Sequence, residues 1–481
     1  MASRVIRVRA AGGGAVAEQL RQGITRLQHE MDVTPDFPPE VDASAERAAK
    51  SPRLPELDRT GIPFVTIDPA GAMDLDQALH LERAGGGYTV HYAIADLAAF
   101  VTPGDPVDVE AHRRGETLYG ADSKVPLHPK AISEDAGSLL PDQVRPAMLW
   151  THRLDADGEL VDTRLERALV RSRVRLAYTD LQAQVEAGTA DDLVMLLREV
   201  GELRVAHEAA RGGVSLPLPE QEIEVDGEHW SLRFRSQGGV ELWNAQISLL
   251  TGIAAARLMT EAKVGILRTL PPSDPRDVAR LRRTAKALGV DWPEGVEHAE
   301  LVRSLDPARP EVAAFVVAST TLLRGAGYAG FDGTVPEQSL HSAIASRYAH
   351  VTAPLRRLVD RYGLEACAAI CAGEPVPDWV LARLGELPAT MQRSGQRARK
   401  YESSIVDLVE AVALEPHVGQ EFDAIVVDVD DKDPTLGDIT IEQPAIETRA
   451  TGDRPLPLGE RVRVRLDAAD PVERRIEFRV V

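Results

Sequence analysis

Thr66-Ile67-Asp68-Pro69-Ala70-Gly71-Ala72-Met73-Asp74-Leu75-Asp76-Gln77-Ala78 sets three carboxylates within nine residues. Pro69 and Gly71 demand a turn after Asp68. Asp74 and Asp76, two residues apart, share one side of an extended segment. A turn that carries Asp68 round to them makes a nest of oxygen ligands. Mg²⁺ takes oxygen donors, keeps several waters and binds substrate phosphates in its remaining positions. The stretch therefore predicts a metal site for phosphate chemistry.

Around this stretch the pattern is that of strands. Tyr88 to Asp96 alternates as a strand and pairs with Ala78-Leu79-His80-Leu81 across the Gly85-Gly86-Gly87 turn. Further strands are predicted over 147–154 and 161–174. Helical periodicity takes over in 179–211, 243–262, 275–288 and 311–323, and resumes in 354–371, 380–387 and 390–415. Strands first and helices later predict one large α+β domain over 58–415, a mixed sheet packed with helices. Residues 416–481 change character again. Short strands at 421–427, 438–441, 461–464 and 476–478, separated by Gly, Pro and Asp, fit a five-stranded barrel of the oligonucleotide-binding kind. Residues 1–57 read as a small helical region, with Val16, Leu20, Ile24 and Leu27 at helical spacing and a second helix over 43–50. It is either a small nucleic-acid-binding unit or, more blandly, a packing arm.

The chain has 481 residues, long enough for about three domains. With 44% hydrophobic and 27% charged residues it has an ordinary globular composition. The N-terminus has no long apolar run and nowhere do about 18 apolar residues occur together, so the chain reads as cytoplasmic. Cys367 and Cys371, one helical turn apart, read as small buried side chains rather than a metal or redox pair. The net charge of −20 argues at first sight against a polyanionic partner, but an acidic shell can surround a basic channel. Only seven of the 55 basic residues are Lys, and the forked guanidinium of Arg suits phosphate.

A second constellation runs from His341 to Tyr362. Thr352 could cap a helix with Pro354 in its first turn. Arg356 and Arg357 would then lie at the helix N-terminus, a place already favourable to anions and unfavourable to cations unless an anion is expected. Three basic clusters offer further phosphate contacts: Arg171, Arg173 and Arg175 alternating on a strand; Arg393, Arg397 and Lys400 at helical spacing; and Arg280, Arg282 and Arg283, better read as a solvated face.

Together these blocks resemble a known family, the RNB-domain exoribonucleases of ribonuclease II and R type. Thr66 to Leu79 resembles the family's acidic catalytic motif and Tyr92 to Val101 its following strand and loop. The block from Arg114-Gly115-Glu116-Thr117-Leu118-Tyr119 through Val125-Pro126-Leu127-His128-Pro129 to Gly137-Ser138-Leu139-Leu140 resembles the next. Tyr348 to Asp360 resembles the family's Thr-Ser-Pro-Ile-Arg-Arg segment, and the C-terminal barrel its S1 domain.

The resemblance implies a hydrolytic 3′→5′ exoribonuclease that degrades single-stranded RNA to nucleoside 5′-monophosphates. The cofactor would be one or two Mg²⁺ ions, with Mn²⁺ able to substitute and no small-molecule cofactor. Asp68, Asp74 and Asp76 would hold metal and orient the attacking water, with Gln77 at the edge of the metal site and Arg356 on the scissile phosphate. Tyr119 and Tyr178 would stack bases, Arg357 and Arg173 would contact RNA, and Glu402 would meet the terminal nucleotide. Three departures stand out. Gln77 replaces a fourth Asp, Ala93 a His and Ala353 a Ser. The loss of charge at position 77 predicts weaker hold on a second metal and leaves open a weakened, RNA-binding or regulatory protein on the same scaffold. Asp96 is either an outer metal contact or an acceptor closing a turn. The short N-terminal region has no room for the paired cold-shock domains the family generally carries.

Overall fold

The strand that carries Asp68 is Phe64–Asp68, buried along its whole length. Its neighbours explain that burial. It pairs antiparallel with Gln77–Ala84 and parallel with the far end of Leu160–Ala177, where Thr66 lies opposite Arg175 and Asp68 opposite Ala177. Gly87–Ala95 and Val144–Leu154 complete the set, so in this computed structural model the expected mixed sheet is a closed five-stranded barrel. Closure leaves no open edge beside the acidic motif. The structure describes residues 6–8, 15–121, 123–218, 220–226, 229–235, 237–306, 309–430, 432–441 and 443–481.

The hairpin at residues 84–87 forms as its sequence predicts. Gly85 and Gly86 both have positive φ (59° and 83°), which a two-residue turn between twisted strands requires, and the register sets Ala84 opposite Gly87 and Leu79 opposite Tyr92. Side chains along Gly87–Ala95 then divide by parity. Tyr88, Val90, Tyr92 and Ile94 join a core with Leu197, Trp243, Ile247 and Leu250 from two covering helices. Ala93 and Ala95 join Phe64, Leu75 and Leu355 in another. Ala93, where the family carries His, is thus a buried core position.

The helical run expected over 179–211 is two helices, Tyr178–Ala187 and Asp192–Ala210. Gly188 ends the first in the left-handed conformation, and the Asp191 carboxylate caps the second by accepting from Val194 N at 2.9 Å. Helices Gly239–Ala262, Pro275–Ala287 and Leu387–Leu414 match their predicted positions within a few residues. Cys367 is buried in helix Leu358–Ala372 with its Sγ 3.8 Å from Ala255 O, and both cysteines are free thiols.

The N-terminal helices are built into the rest of the molecule. Leu20, Ile24 and Leu27 of helix Ala15–Glu30 share one core with Tyr401, Leu408 and Val409 of helix Leu387–Leu414 and with Val464, Leu466 and Phe478 of the C-terminal barrel. Gly23 permits the close approach, since a Cβ there would lie 2.7 Å from the Leu408 methyls. Val41 and Ala45 of helix Pro39–Lys50 pack into the core around Phe64. Of the two readings of this region, the packing arm accounts for these residues. Leu27→Ala is expected to destabilise the chain by about 2–5 kcal/mol in urea unfolding, because a cavity would open where three elements meet. A loss below about 1 kcal/mol would show that the arm is not a clamp.

The C-terminal barrel closes in the order Glu421–Val429, Leu436–Ile441, Ile446–Thr451, Arg475–Val480, Arg461–Asp470. A further sheet of three strands lies outside the segments predicted as strands. The hairpin Glu220–Asp226 and His229–Arg235 takes Ile6–Val8 as a parallel third strand. No helix among the described residues is long and apolar enough to cross a membrane.

Candidate active site

Three segments far apart in sequence meet where Phe64–Asp68 ends. After Asp68 the chain turns, with Ala72 N bonded to Pro69 O at 3.1 Å and Gly71 at φ 83°. Ser138 clamps the returning strand, donating to Met73 O at 2.6 Å and accepting from Leu75 N at 3.0 Å. Asp76 then reaches across to the second constellation, where its Oδ1 accepts the backbone N–H of Leu355 at 2.7 Å. Gln77 makes a second stitch, its amide Nε2 donating to Thr352 O. The block around Tyr119 joins through Thr117 N to Arg356 O at 2.9 Å and Leu358 N to Gly115 O at 3.0 Å.

These contacts correct the expected helix. It begins at Leu358, not Pro354, and Thr352 is not its cap. The backbone N–H of Leu355 is held by Asp76 and that of Ala353 by Asp360 Oδ1 at 2.8 Å, so residues 352–357 turn around two carboxylates instead of coiling. Gly252 seats this segment on helix Gly239–Ala262, where Ala349 N donates to Gly252 O at 3.1 Å. A Cβ at Gly252 would lie 2.1 Å from the Tyr348 ring.

The carboxylates differ in environment. Asp68 is nearly buried, and desolvation pushes its pKa up to about 6, against the pull of Arg356 and with a push from Asp74. Asp76 is 1% exposed, and burial pushes it up to about 8 although Arg356 and the Leu355 N–H favour its charged form. Oδ2 of both residues is buried with no hydrogen-bond partner in the protein. Arg356 Nε stands 3.6 Å from Asp76 Oδ2, with 42% of its side chain open to solvent. Asp74 has a partner the sequence reading missed: Lys124 Nζ lies 2.8 Å from its Oδ1 and 3.0 Å from Glu134 Oε1.

Among the described residues no three acidic, histidine or cysteine side chains form a ready-made metal cage. The expected three-carboxylate nest is therefore opened on one side, since Asp74 faces Lys124. What remains suits Mg²⁺, which commonly binds through one or two carboxylates and completes its shell with waters and phosphate. The Oδ2 atoms of Asp68 and Asp76, neither of them hydrogen-bonded within the protein, are the donors that fit. Gln77 enters differently from expectation, because its amide N–H is spent on Thr352. An Asp there would lose that donor and face a carbonyl, so Gln77→Asp is expected to destabilise by about 1–3 kcal/mol, read as a lower thermal midpoint without Mg²⁺. An unchanged midpoint would show that the stitch is dispensable.

Of the residues expected to contact RNA, two tyrosines lie beside the acidic motif and Arg356. Tyr119 is 40% exposed, and its hydroxyl faces Arg356. Tyr178 opens helix Tyr178–Ala187 beside Asp68, and its hydroxyl accepts from Asn244 Nδ2 at 2.8 Å. Arg357 instead turns inward, with Nη2 2.7 Å from Asp360 Oδ1, and braces the 352–357 turn. Arg173 donates to Thr60 O at 3.0 Å, whereas its neighbour Arg175 is the strand arginine whose charge reaches Asp68. Glu402 lies in a separate crevice between helix Leu387–Leu414 and the C-terminal barrel, with Arg399, Lys400 and Arg324, and none of the acidic-motif residues lines it. Arg280, expected on a solvated face, pairs with the barrel's Asp428 at 2.8 Å. Asp96 is structural, capping a turn through Ala98 N at 3.0 Å and pairing with Arg167 at 2.9 Å.

The same three segments fall within residues 57–366, which match the RNB domain family. The chain belongs to the RNB family. Residues 420–481 of this RNB protein match the C-terminal S1 domain of ribonuclease II-type exonucleases. Ribonuclease R of Escherichia coli is 25% identical over 92% of the chain and 59% of its own length, so the RNB chain spans about three fifths of that relative. The RNase R of Mycoplasma genitalium, in complex with ribose-methylated single-stranded RNA, has the same fold with a TM-score of 0.84 at 18% identity, covering 97% of this chain and 78% of that one. Yeast Ssd1, a pseudonuclease, superposes with a TM-score of 0.70 at 16% identity over 90% of this chain and 55% of its own.

Proposed function

We propose that this chain is a hydrolytic 3′→5′ exoribonuclease that takes single-stranded RNA and, with Mg²⁺, releases nucleoside 5′-monophosphates. One observation carries the reading. The buried carboxylate of Asp76, fixed by the Leu355 N–H, is held 3.6 Å from a half-open arginine. A carboxylate and a guanidinium so placed serve the two ends of phosphodiester cleavage. Arg356 offers its exposed donors to the scissile phosphate in the forked geometry that suits phosphate oxygens. Asp76 and Asp68 would hold Mg²⁺ through their Oδ2 oxygens, which accept no hydrogen bond from the protein. When bound, the ion lowers the pKa of an attacking water and offsets charge on the phosphoryl oxygens. Tyr119 presents a half-exposed ring on which a base can stack irrespective of sequence. The family membership and the S1-type barrel support RNA over other phosphodiesters.

A second reading has its own observation. Gln77 stands where the family has a fourth acid and is used as a backbone stitch, and a pseudonuclease shares the fold. Incubating 5′-labelled single-stranded RNA with Mg²⁺ decides between them. A ladder collapsing to a short limit product is expected, with DNA of the same sequence spared. RNA that is bound but unchanged would establish the binding protein instead.

A further inference from the structure

Lys124 falls between the residues that marked the second block, Tyr119 and Val125, yet the fold aims it at the centre. Leu118–Tyr119 and Lys124–Val125 form a tight antiparallel ladder in which Tyr119 is directly opposite Lys124. Directly opposed residues project on the same face. One hairpin therefore presents a base-stacking ring and an ammonium together, the ring toward Arg356 and the ammonium toward Asp74. Glu134 holds the ammonium from behind at 3.0 Å. The group is mostly buried, with 23% of the Lys124 side chain exposed, so its position is set by these partners.

Charge balance says what such a cation does. With metal bound, the carboxylates of Asp68, Asp74, Asp76 and Glu134 count four formal negative charges, against two positive ones on Arg356 and Lys124. One divalent ion brings the set to neutrality. A second would leave two excess positive charges that a single scissile phosphate does not cancel. Position 77 points the same way, because its neutral amide adds no charge and donates its N–H to Thr352 O. We infer that Lys124 is a positioning residue standing in for a second divalent ion: its ammonium occupies the Asp74 side of the site, leaving one Mg²⁺ for Asp68 and Asp76.

This rests on the metal-dependent nuclease reading, but its test does not use hydrolysis. Mn²⁺ binding to the full chain, counted by electron paramagnetic resonance in the absence of RNA, is expected to show one ion for the unaltered protein and for Lys124→Arg. Lys124→Gln and Lys124→Met, which keep the length and remove the charge, should bind a second ion at least tenfold more tightly than the unaltered protein does. Thermal melts confirm that each variant is folded, and two neutral variants guard against one failing. Two ions of similar affinity in the unaltered protein overturn the inference, as does an isotherm that both neutral variants leave unmoved. Loss of the first ion in the neutral variants also overturns it, since Lys124 would then be supporting the carboxylates rather than replacing a cation. The count stands whether or not the protein proves to cleave RNA.

Discussion

Replacing Asp76 with Asn is expected to stop the proposed hydrolysis of RNA while leaving the fold and RNA binding in place. The expected loss is about a thousandfold, because the carboxylate shares the several kcal/mol of charge stabilisation a metal supplies in phosphoryl transfer, and about 4 kcal/mol is a factor of a thousand. The fold survives for a specific reason. The Asn carbonyl can still accept the Leu355 N–H that Asp76 Oδ1 takes at 2.7 Å, so the two motifs stay stitched. Burying a neutral amide also removes the desolvation that pushes the Asp76 pKa up to about 8. The thermal midpoint should therefore hold or rise in the absence of Mg²⁺. Single-turnover decay of labelled RNA, filter binding and a melt together test this. Residual activity above a tenth of the starting rate, or a collapsed melt, removes Asp76 from the chemistry.

Arg356→Ala gives the next largest effect, a rate loss of about 10²–10³-fold, the usual consequence of removing a donor aimed at developing charge. Its signature in binding is separate. One lost phosphate contact lowers the slope of log affinity against log salt by about 0.7 for a single strand. Arg356→Lys should recover the salt slope but not the rate, because a point charge lacks the fork. If Lys restores the rate, the guanidinium supplies only charge. The outcome at Arg357 should differ in kind. Its bond to Asp360 makes Arg357→Ala a stability change in the 352–357 turn, seen in the melt before any effect on RNA.

The parts of this fold written in local pattern were legible. Alternation between Gln77 and Ala95 with paired glycines at the turn predicted the hairpin, and helical spacing located the major helices. The acidic cluster and Arg356 were legible because their residue types are costly to bury without a purpose. What escaped depends on distant partners. Nothing near Pro354 signals that its segment will wrap around Asp76 and Asp360, so the helix was begun four residues early. Lys124 is a lone cation in a loop-like stretch, and it acquires meaning only through its register opposite Tyr119. Tertiary context likewise turned Arg357 inward to Asp360 and tied Arg173 to Thr60 O. The strands Glu220–Asp226 and His229–Arg235 carry a local signal of their own, alternating residues flanking Asp226-Gly227.

The bond between Asp76 and Leu355 spans 279 positions of the chain. Contacts of such separation form late, after the entropy of closing the intervening loop has been overcome. During synthesis the acidic strand emerges first and can close its hairpin, but no fragment ending before Leu355 contains the turn that fixes Asp76, nor the arginine beside it. The proposed chemistry therefore belongs to the completed domain: a nascent chain on the ribosome, surrounded by RNA, carries the acids without the turn and the arginine that would put them to use.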